Sequence, residues 1–333
     1  GDFLIFMSQD AVPISDSCIF DVVSKMQHDE RIAAASVKQV PRSDADLFAC
    51  WQLWFYNNKL LNYTQDSIVF LKQKQLKSLS PFLQRRHMQI DNVFSCFRKA
   101  IFDGFKFRTL QYAEDLDLGM RLIGEGYKIL FLTSVGVIHS HNRAPAYFLK
   151  RGYIDTRTLL KLLQYDPINW ENIGIFSIDQ LLSYMHVFYK NVNYAIKKLS
   201  ALDSSDYSLD SFLLKIKTDI QNRHNGDISP GDAGFDELFN KIVMTRNDRD
   251  FDISQIKHDV LMDQYFTFLD NFFEYLNTGN IGITSENIRE FISALYKLLA
   301  WTYGSHIGNY MIFSENMKRD DGSLYLESIL GQG

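Results

Sequence analysis

Glu114-Asp115-Leu116-Asp117-Leu118-Gly119-Met120-Arg121-Leu122-Ile123-Gly124-Glu125-Gly126-Tyr127-Lys128-Ile129-Leu130-Phe131-Leu132 is the passage that decides the fold of this 333-residue chain. Leu116, Met120, Ile123 and Tyr127 recur on one helical face, and Gly124 and Gly126 mark its C-terminal end. Lys128 to Leu132 then reads as a strand, which Val135-Gly136-Val137-Ile138 extends up to His139. A helix that feeds directly into an apolar strand predicts an α/β sheet.

The same alternation runs upstream. Phe3 to Met7 is a short apolar strand ending at Ser8-Gln9-Asp10, and Ile19 to Met26 has the spacing of a helix packed on a sheet. Ile32 to Val40 is the next strand, and Pro41 to Asp44 leads to a helix through Trp51 and Trp54. Asp91 to Ile101 joins a strand to a helix that Gly104 ends. Beyond about Arg151 strand signals fade. Helical periodicity takes over in Ile178–Leu199, Ser208–Asn222, His258–Leu276 and Ser285–Tyr303, and Asn225 to Gly234 reads as an internal loop. The division expected is an α/β portion over 1–165 and a mostly α-helical C-terminal region over 166–333.

Composition narrows the class. With 46% hydrophobic residues, 14% aromatic residues and 6 prolines, extended disorder is excluded. A net charge of -5 argues against a nucleic-acid partner. Cys18, Cys50 and Cys96 include no CxxC pair and read as reduced thiols of a cytoplasmic protein. Gly1-Asp2 leads straight into a strand, without the pattern of a secretory signal. The most apolar long run, Phe291 to Phe313, is interrupted by Lys297 and His306 and is no membrane span, although a peripheral membrane contact stays open.

The chemistry-bearing residues sit at element boundaries. First-turn carboxylates are favoured by the helix dipole and the orphan amides, so capping alone explains Glu114, Asp115 and Asp117. The same field keeps a carboxylate ionised near neutral pH, as a general base requires. Asp115 and Asp117 cannot share a direction on one turn, so one is expected to face a cleft and the other to cap or to pair with a cation. His139 and His141 share a side if the strand continues through them. Each is an ordinary structural histidine unless a carboxylate from another strand end converges on it, and Asp10 is such a carboxylate. One Asp and one His leave open positions for a diphosphate, whose oxygens suit Mg2+ or Mn2+. Arg143 to Arg151 reads either as the start of a solvated helix or as a basic, aromatic rim beside a diphosphate. Gln39 and Arg42 are expected to face the cleft, and Trp51, Trp54, Phe55 and Tyr56 to pack the core rather than stack on a sugar.

Taken in order, Phe6-Met7-Ser8-Gln9-Asp10-Ala11-Val12-Pro13, Lys38-Gln39-Val40-Pro41, Asn92-Val93-Phe94-Ser95-Cys96-Phe97-Arg98, Glu114 to Arg121 and Val137-Ile138-His139-Ser140-His141-Asn142 carry a family resemblance. Over roughly residues 3–155 the chain resembles the family 2 glycosyltransferases of the GT-A fold, which is Rossmann-like, and most closely the bacterial rhamnosyltransferase-type members. The resemblance implies that Asp10 is the last acid of a metal-binding Asp-x-Asp motif, with Ser8 where the first commonly stands. It implies His139 as the residue completing the metal site and Asp115, beside Glu114, as the base. Gln9, Arg143 and Arg151 are then expected on the nucleotide-sugar donor, and Gln39, Asn92, Asp117 and His141 on the acceptor.

Family members carry a nucleotide-binding βαβ half before the Asp-x-Asp strand. An upstream segment or another chain is therefore expected to complete the fold. The activity implied is a single inverting, metal-dependent transfer of a sugar, rhamnose among the candidates, to a glycan or lipid-linked glycan at the cytoplasmic membrane face, in polysaccharide or O-antigen biosynthesis. Two rivals stay open. One is a non-catalytic GT-A remnant acting as an interaction or scaffold module, and the other is a phosphoryl hydrolase using Asp10, Asp115 and His139.

Overall fold

In the computed structural model, which describes residues 1–200, 208–222, 231–243, 256–319 and 323–331, a mixed sheet organises the first 142 residues. Its elements in order are β1 (Phe3–Met7), β2 (Val12–Pro13), α1 (Cys18–Gln27), β3 (Ile32–Val40), α2 (Leu47–Phe55), a π-helical turn (Tyr56–Leu61) and β4 (Ser67–Val69). There follow α3 (Gln73–Ser78), α4 (Pro81–Met88), β5 (Phe94–Arg98), α5 (Lys99–Phe105), α6 (Glu114–Gly124) and β6 (Lys128–Ile138). The strand order is β1-β5-β3-β6-β2, with β4 also on β6; β3 and β6 are parallel and the other pairings antiparallel. The predicted α/β class with a helical C-terminal region is what the structure has.

One face of the sheet is closed by α1. Cys18, Val22 and Met26 sit with Ile32, Ala35, Val37, Phe94, Cys96, Leu130, Leu132, Val135 and Val137 in one buried cluster. None of the three cysteines is in a disulfide. Burial pushes the Cys96 thiol up to about 12, which leaves it an inert core residue. Elsewhere α6 approaches the end of α4 so closely that a Cβ on Gly119 would stand 1.9 Å from the Met88 carbonyl oxygen. Only glycine fits there, and the contact fixes where the acidic start of α6 lies.

β6 is not a regular strand. Val37 pairs with Leu132 but Lys38 pairs with Gly136, so Thr133, Ser134 and Val135 bulge out of the ladder. Asp66 ties this bulge down, accepting from the Thr133 and Ser134 amides at 2.9 Å each and from the Ser134 hydroxyl at 2.7 Å. Burial raises the Asp66 carboxyl, but its ion pair with Lys25 and the Ser134 bonds outweigh that and bring it down to about 2.

The second unit, Arg143–Gly333, is helical in its described parts. It contains α7 (Pro145–Leu163), α8 (Trp170–Ile173), α9 (Ile178–Ser200), α10 (Leu209–Gln221), α11 (Ala233–Val243), α12 (Val260–Thr278), α13 (Ile288–Asn316) and α14 (Ser323–Leu330). The boundary falls at 142/143 rather than 165 because α7 packs along α13 and belongs with it. Gly304 meets the Leu149 carbonyl and Gly152 that of Trp301, with Cβ positions 2.0 and 2.7 Å from those oxygens. Tyr303 and Tyr310 are fully buried and Tyr296 nearly so, which makes them part of the helical packing. Of the expected loop Asn225 to Gly234, residues 225–230 lie outside the described residues, and Ala233 and Gly234 open α11. Among the described residues no helix is long and apolar enough to cross a membrane.

Candidate active site

Two clusters form at the C-terminal ends of β3 and β6, and both are built from the first unit. In the first, the turn after β1 carries Asp10. Ala11 donates to the Ser8 carbonyl at 3.0 Å, and Ser8 donates to the Val93 carbonyl at 3.1 Å, which moors this turn to the start of β5. Opposite it, the His139 amide continues the β3–β6 ladder by donating to Val40 at 2.9 Å.

His139 Nε2 stands 3.7 Å from Asp10 Oδ1, and His141 Nε2 stands 3.4 Å from Asp10 Oδ2. The two rings meet edge to face, centroids 4.7 Å apart. One ligand atom from each residue lies within 4.8 Å of the others. Ligands held about 2.1 Å from a cation stand about 3.0–3.4 Å apart, so a slight contraction would seat one. The residues therefore fit a divalent ion, and two imidazoles beside one carboxylate suit Mn2+ better than Mg2+.

Behind His139 lies a relay. Its Nδ1 is 2.9 Å from Gln39 Oε1, and the Gln39 amide nitrogen donates to Asp91. Gln39 is nearly buried. Asp91 Oδ1 accepts from the Val93 amide at 3.0 Å, while its own amide donates to Ser36 Oγ at 3.0 Å. Asn57, in the π-helical turn, donates to the Gln39 carbonyl at 3.1 Å.

The second cluster is the start of α6. Ala113 precedes it in the left-handed region, at φ 61°, a conformation that costs a non-glycine residue about 1–2 kcal/mol. It delivers Glu114 and Asp115 to the turn after Ile90. Asp115 Oδ2 accepts from the Asn92 amide at 3.3 Å, Oδ1 from the Leu116 amide at 2.7 Å, and the Asn92 side chain donates to Glu114 at 3.1 Å. Burial raises the Asp115 carboxyl to about 7, helped by the charges of Asp91 and Glu114, against the opposing pull of the two amides. Position in the first helical turn predicts an ionised carboxylate, but desolvation and two like charges outweigh the helix field. A group balanced near neutrality takes up and releases a proton readily. The Tyr56 phenol faces the same carboxylates, and burial with the charges of Asp91 and Asp115 pushes it well above its ordinary value.

Sequence reading separated these residues only in part. Asp10 and His139 converge as expected, and His141, expected at the acceptor, joins them. Asp115, Glu114, Asn92 and Gln39 share one neighbourhood through Asp91. Asp117, expected at the acceptor or as the first-turn acid that pairs with a cation, takes the second role: its side chain is 2% exposed and bonded to Arg121 at 2.8 Å and to Arg108 at 3.3 Å. Its partner Arg121 is anchored on the carbonyls of Phe105 and Lys106.

Gln9 is exposed beside Asp10. Arg42 turns to Asp44 at 2.9 Å. Arg143 and Arg151 fall in the second unit, where Arg143 lies 5.4 Å over the Tyr147 ring and Arg151 lies on α7. Asp91 and Tyr56 were missed as site residues. Asp91 directly precedes the Asn92 motif, which was the available signal, but its link to Gln39 spans 52 residues and has no local pattern.

No protein-family model matches the chain. Over 159 residues, however, it is similar to proteins named as O-antigen chain rhamnosyltransferases. They are WbaN of Salmonella anatum, 29% identical, and RfbN of Salmonella typhimurium, 31% identical. Each alignment covers 47% of this chain and 46% of the relative, so the chain spans about half the length of the curated relatives it matches.

Proposed function

We propose that the first unit carries the acceptor and metal side of a GT-A-type glycosyltransferase of family 2, acting in O-antigen-like glycan synthesis with rhamnose as the sugar. The observation that carries this reading is the Asp115 carboxyl, raised to about 7 and joined through the Asp91-Asn92 turn to the Asp10–His139–His141 group. Similarity to the two rhamnosyltransferases supports the sugar and the glycan.

Asp115 takes the proton from an acceptor hydroxyl as that oxygen bonds to the anomeric carbon, and the bond from that carbon to the nucleotide diphosphate breaks. One displacement inverts the anomeric configuration. Asn92, by donating to both Glu114 and Asp115, holds the base in place. Asp10, His139 and His141 would hold a divalent cation, whose charge supports the departing diphosphate. Ala113 and the Gly119 contact keep the base from drifting.

The test is a mass-spectrometric donor screen on the full-length protein with a glycan acceptor and Mn2+, repeated with Asp115→Asn. Transfer should appear with nucleotide-activated rhamnose, fall about 10²–10⁴-fold in the variant, and be lost on chelation and restored by Mn2+. Undiminished transfer in the variant would remove Asp115 from the reaction. Release of free sugar or phosphate without an acceptor would instead favour the hydrolase.

A further inference from the structure

We infer that Asp91 is the positioning residue of this site: acting through Gln39, its carboxylate fixes His139 in the tautomer that keeps Nε2 free to bind a cation. The inference rests on the metal reading for its purpose but not for its geometry. A carboxylate only accepts hydrogen bonds, so the group facing it from Gln39 must be the amide nitrogen. That orientation points Gln39 Oε1 at His139 Nδ1, 2.9 Å away. Oε1 also only accepts, so Nδ1 carries the hydrogen and Nε2 presents its lone pair on the Asp10 side.

Asp91 is itself held. The Val93 amide occupies Oδ1 at 3.0 Å and the Asp91 amide is bonded to Ser36, which leaves Oδ2 aimed at Gln39. Gln39 is 6% exposed, so water cannot readily replace either partner. Polarity thus passes in one direction, from Asp91 to Gln39 to the imidazole. Residues in this outer position orient metal-binding histidines and raise their basicity.

Reversing the relay tests it. In Asp91→Asn the Val93 amide still requires an acceptor, which turns the new NH2 group toward Gln39. Gln39 must then flip and offer its own NH2 to His139, forcing the hydrogen onto Nε2. The double variant Asp91→Asn with Gln39→Glu restores an acceptor facing Nδ1, because the new carboxylate accepts from both neighbours. The primary readout is the 15N–1H long-range correlation spectrum of the histidines in the metal-free chain at about pH 8, supported by Mn2+ affinity from the free-ion EPR signal.

The expected results are an Nδ1–H tautomer in the parent, Nε2–H in Asp91→Asn, and Nδ1–H again in the double variant. Mn2+ affinity should fall about 10–100-fold and recover in parallel. An unchanged tautomer in Asp91→Asn, or no return in the double variant, would overturn the inference. Should Asp91→Asn fail to fold, Gln39→Met leaves every other Asp91 bond intact and should release His139 to a mixture of tautomers; a retained Nδ1–H signal there would equally overturn it. Sugar transfer is not read at any point, so failure of the transferase reading cannot be mistaken for failure of this one.

Discussion

Replacing Asp115 with Asn should make the first unit more stable at alkaline pH while it abolishes the proposed base. The Asp115 carboxyl sits at about 7 because of burial and the charges of Asp91 and Glu114, whereas in the unfolded chain it returns to about 3.9. The folded state therefore keeps a proton that the unfolded state has released, and native stability falls as pH rises from about 4 to about 7, then levels off. Between pH 5 and pH 8 the decline spans about two pH units, or about 3 kcal/mol. Asp115→Asn has no such decline. It loses one acceptor, facing either the Asn92 or the Leu116 amide, at a cost of about 1 kcal/mol at every pH.

The variant should thus be about as stable as the parent at pH 5, where about one pH unit of the parent's decline offsets the lost acceptor, and about 3 kcal/mol more stable at pH 8. Urea titrations read by pulsed hydrogen–deuterium labelling of peptides from residues 1–142 would isolate this unit. Parallel stability curves for parent and variant across the whole range would refute the claim that a desolvated, crowded carboxylate stands at this position. The constant term cancels in that comparison, which makes the pH dependence the decisive quantity.

Other perturbations probe the supports of the site. Arg121→Ala strips Asp117 of its closest cation in a fully buried setting and should cost about 3–5 kcal/mol in urea; a loss below about 1 kcal/mol would mean Asp117 is solvated or re-paired. Gly119→Ala drives a methyl to within 1.9 Å of the Met88 carbonyl oxygen. Even after the helix-propensity gain of about 1 kcal/mol it should lower the melting temperature by an amount equivalent to about 1–3 kcal/mol; an unchanged melting temperature would refute the tight α4–α6 contact. Asp66→Asn should destabilise by about 2 kcal/mol at neutral pH, because the depressed carboxyl stabilises the fold above its unfolded value and loses that effect as pH falls through about 2. A pH-independent loss would show that the hydrogen bonds, not the charge, hold the bulge.

Legibility followed locality. The passage from Glu114 to Ile138 was readable because its apolar period changes from helical to strand-like at Gly124 and Gly126, and β1 and β3 were readable as compact apolar runs. The stretch from Asn62 to Ile90, with β4, α3 and α4, gave no clear period because Lys, Gln and Leu alternate there without a sustained face. Within the site, Asp10 and His139 could be paired because each ends a strand. That one of Asp115 and Asp117 pairs with a cation is legible from their spacing, but that Arg108 and Arg121 are the cations and close around Asp117 is not. The elevated carboxyl of Asp115 was equally hidden, since one of the charges responsible, Asp91, is 24 positions away in the chain.

The three-residue interruption of β6 acts like a shift of reading frame. Along an uninterrupted strand, Leu130 and Leu132 would share a face with Ser134 and Gly136, and His139 would project on the opposite side. Because an odd number of residues loops out, Val135 and Val137 instead rejoin Leu130 and Leu132 in the cluster under α1. His139 inherits that phase and so meets Gln39, which shares the parity of Ala35 and Val37. Deleting or inserting one residue between Leu132 and Gly136 would leave the strand's composition almost untouched while turning His139 away from Asp10. The parity of a short bulge, pinned by Asp66 on a distant loop, decides whether these side chains can form one site.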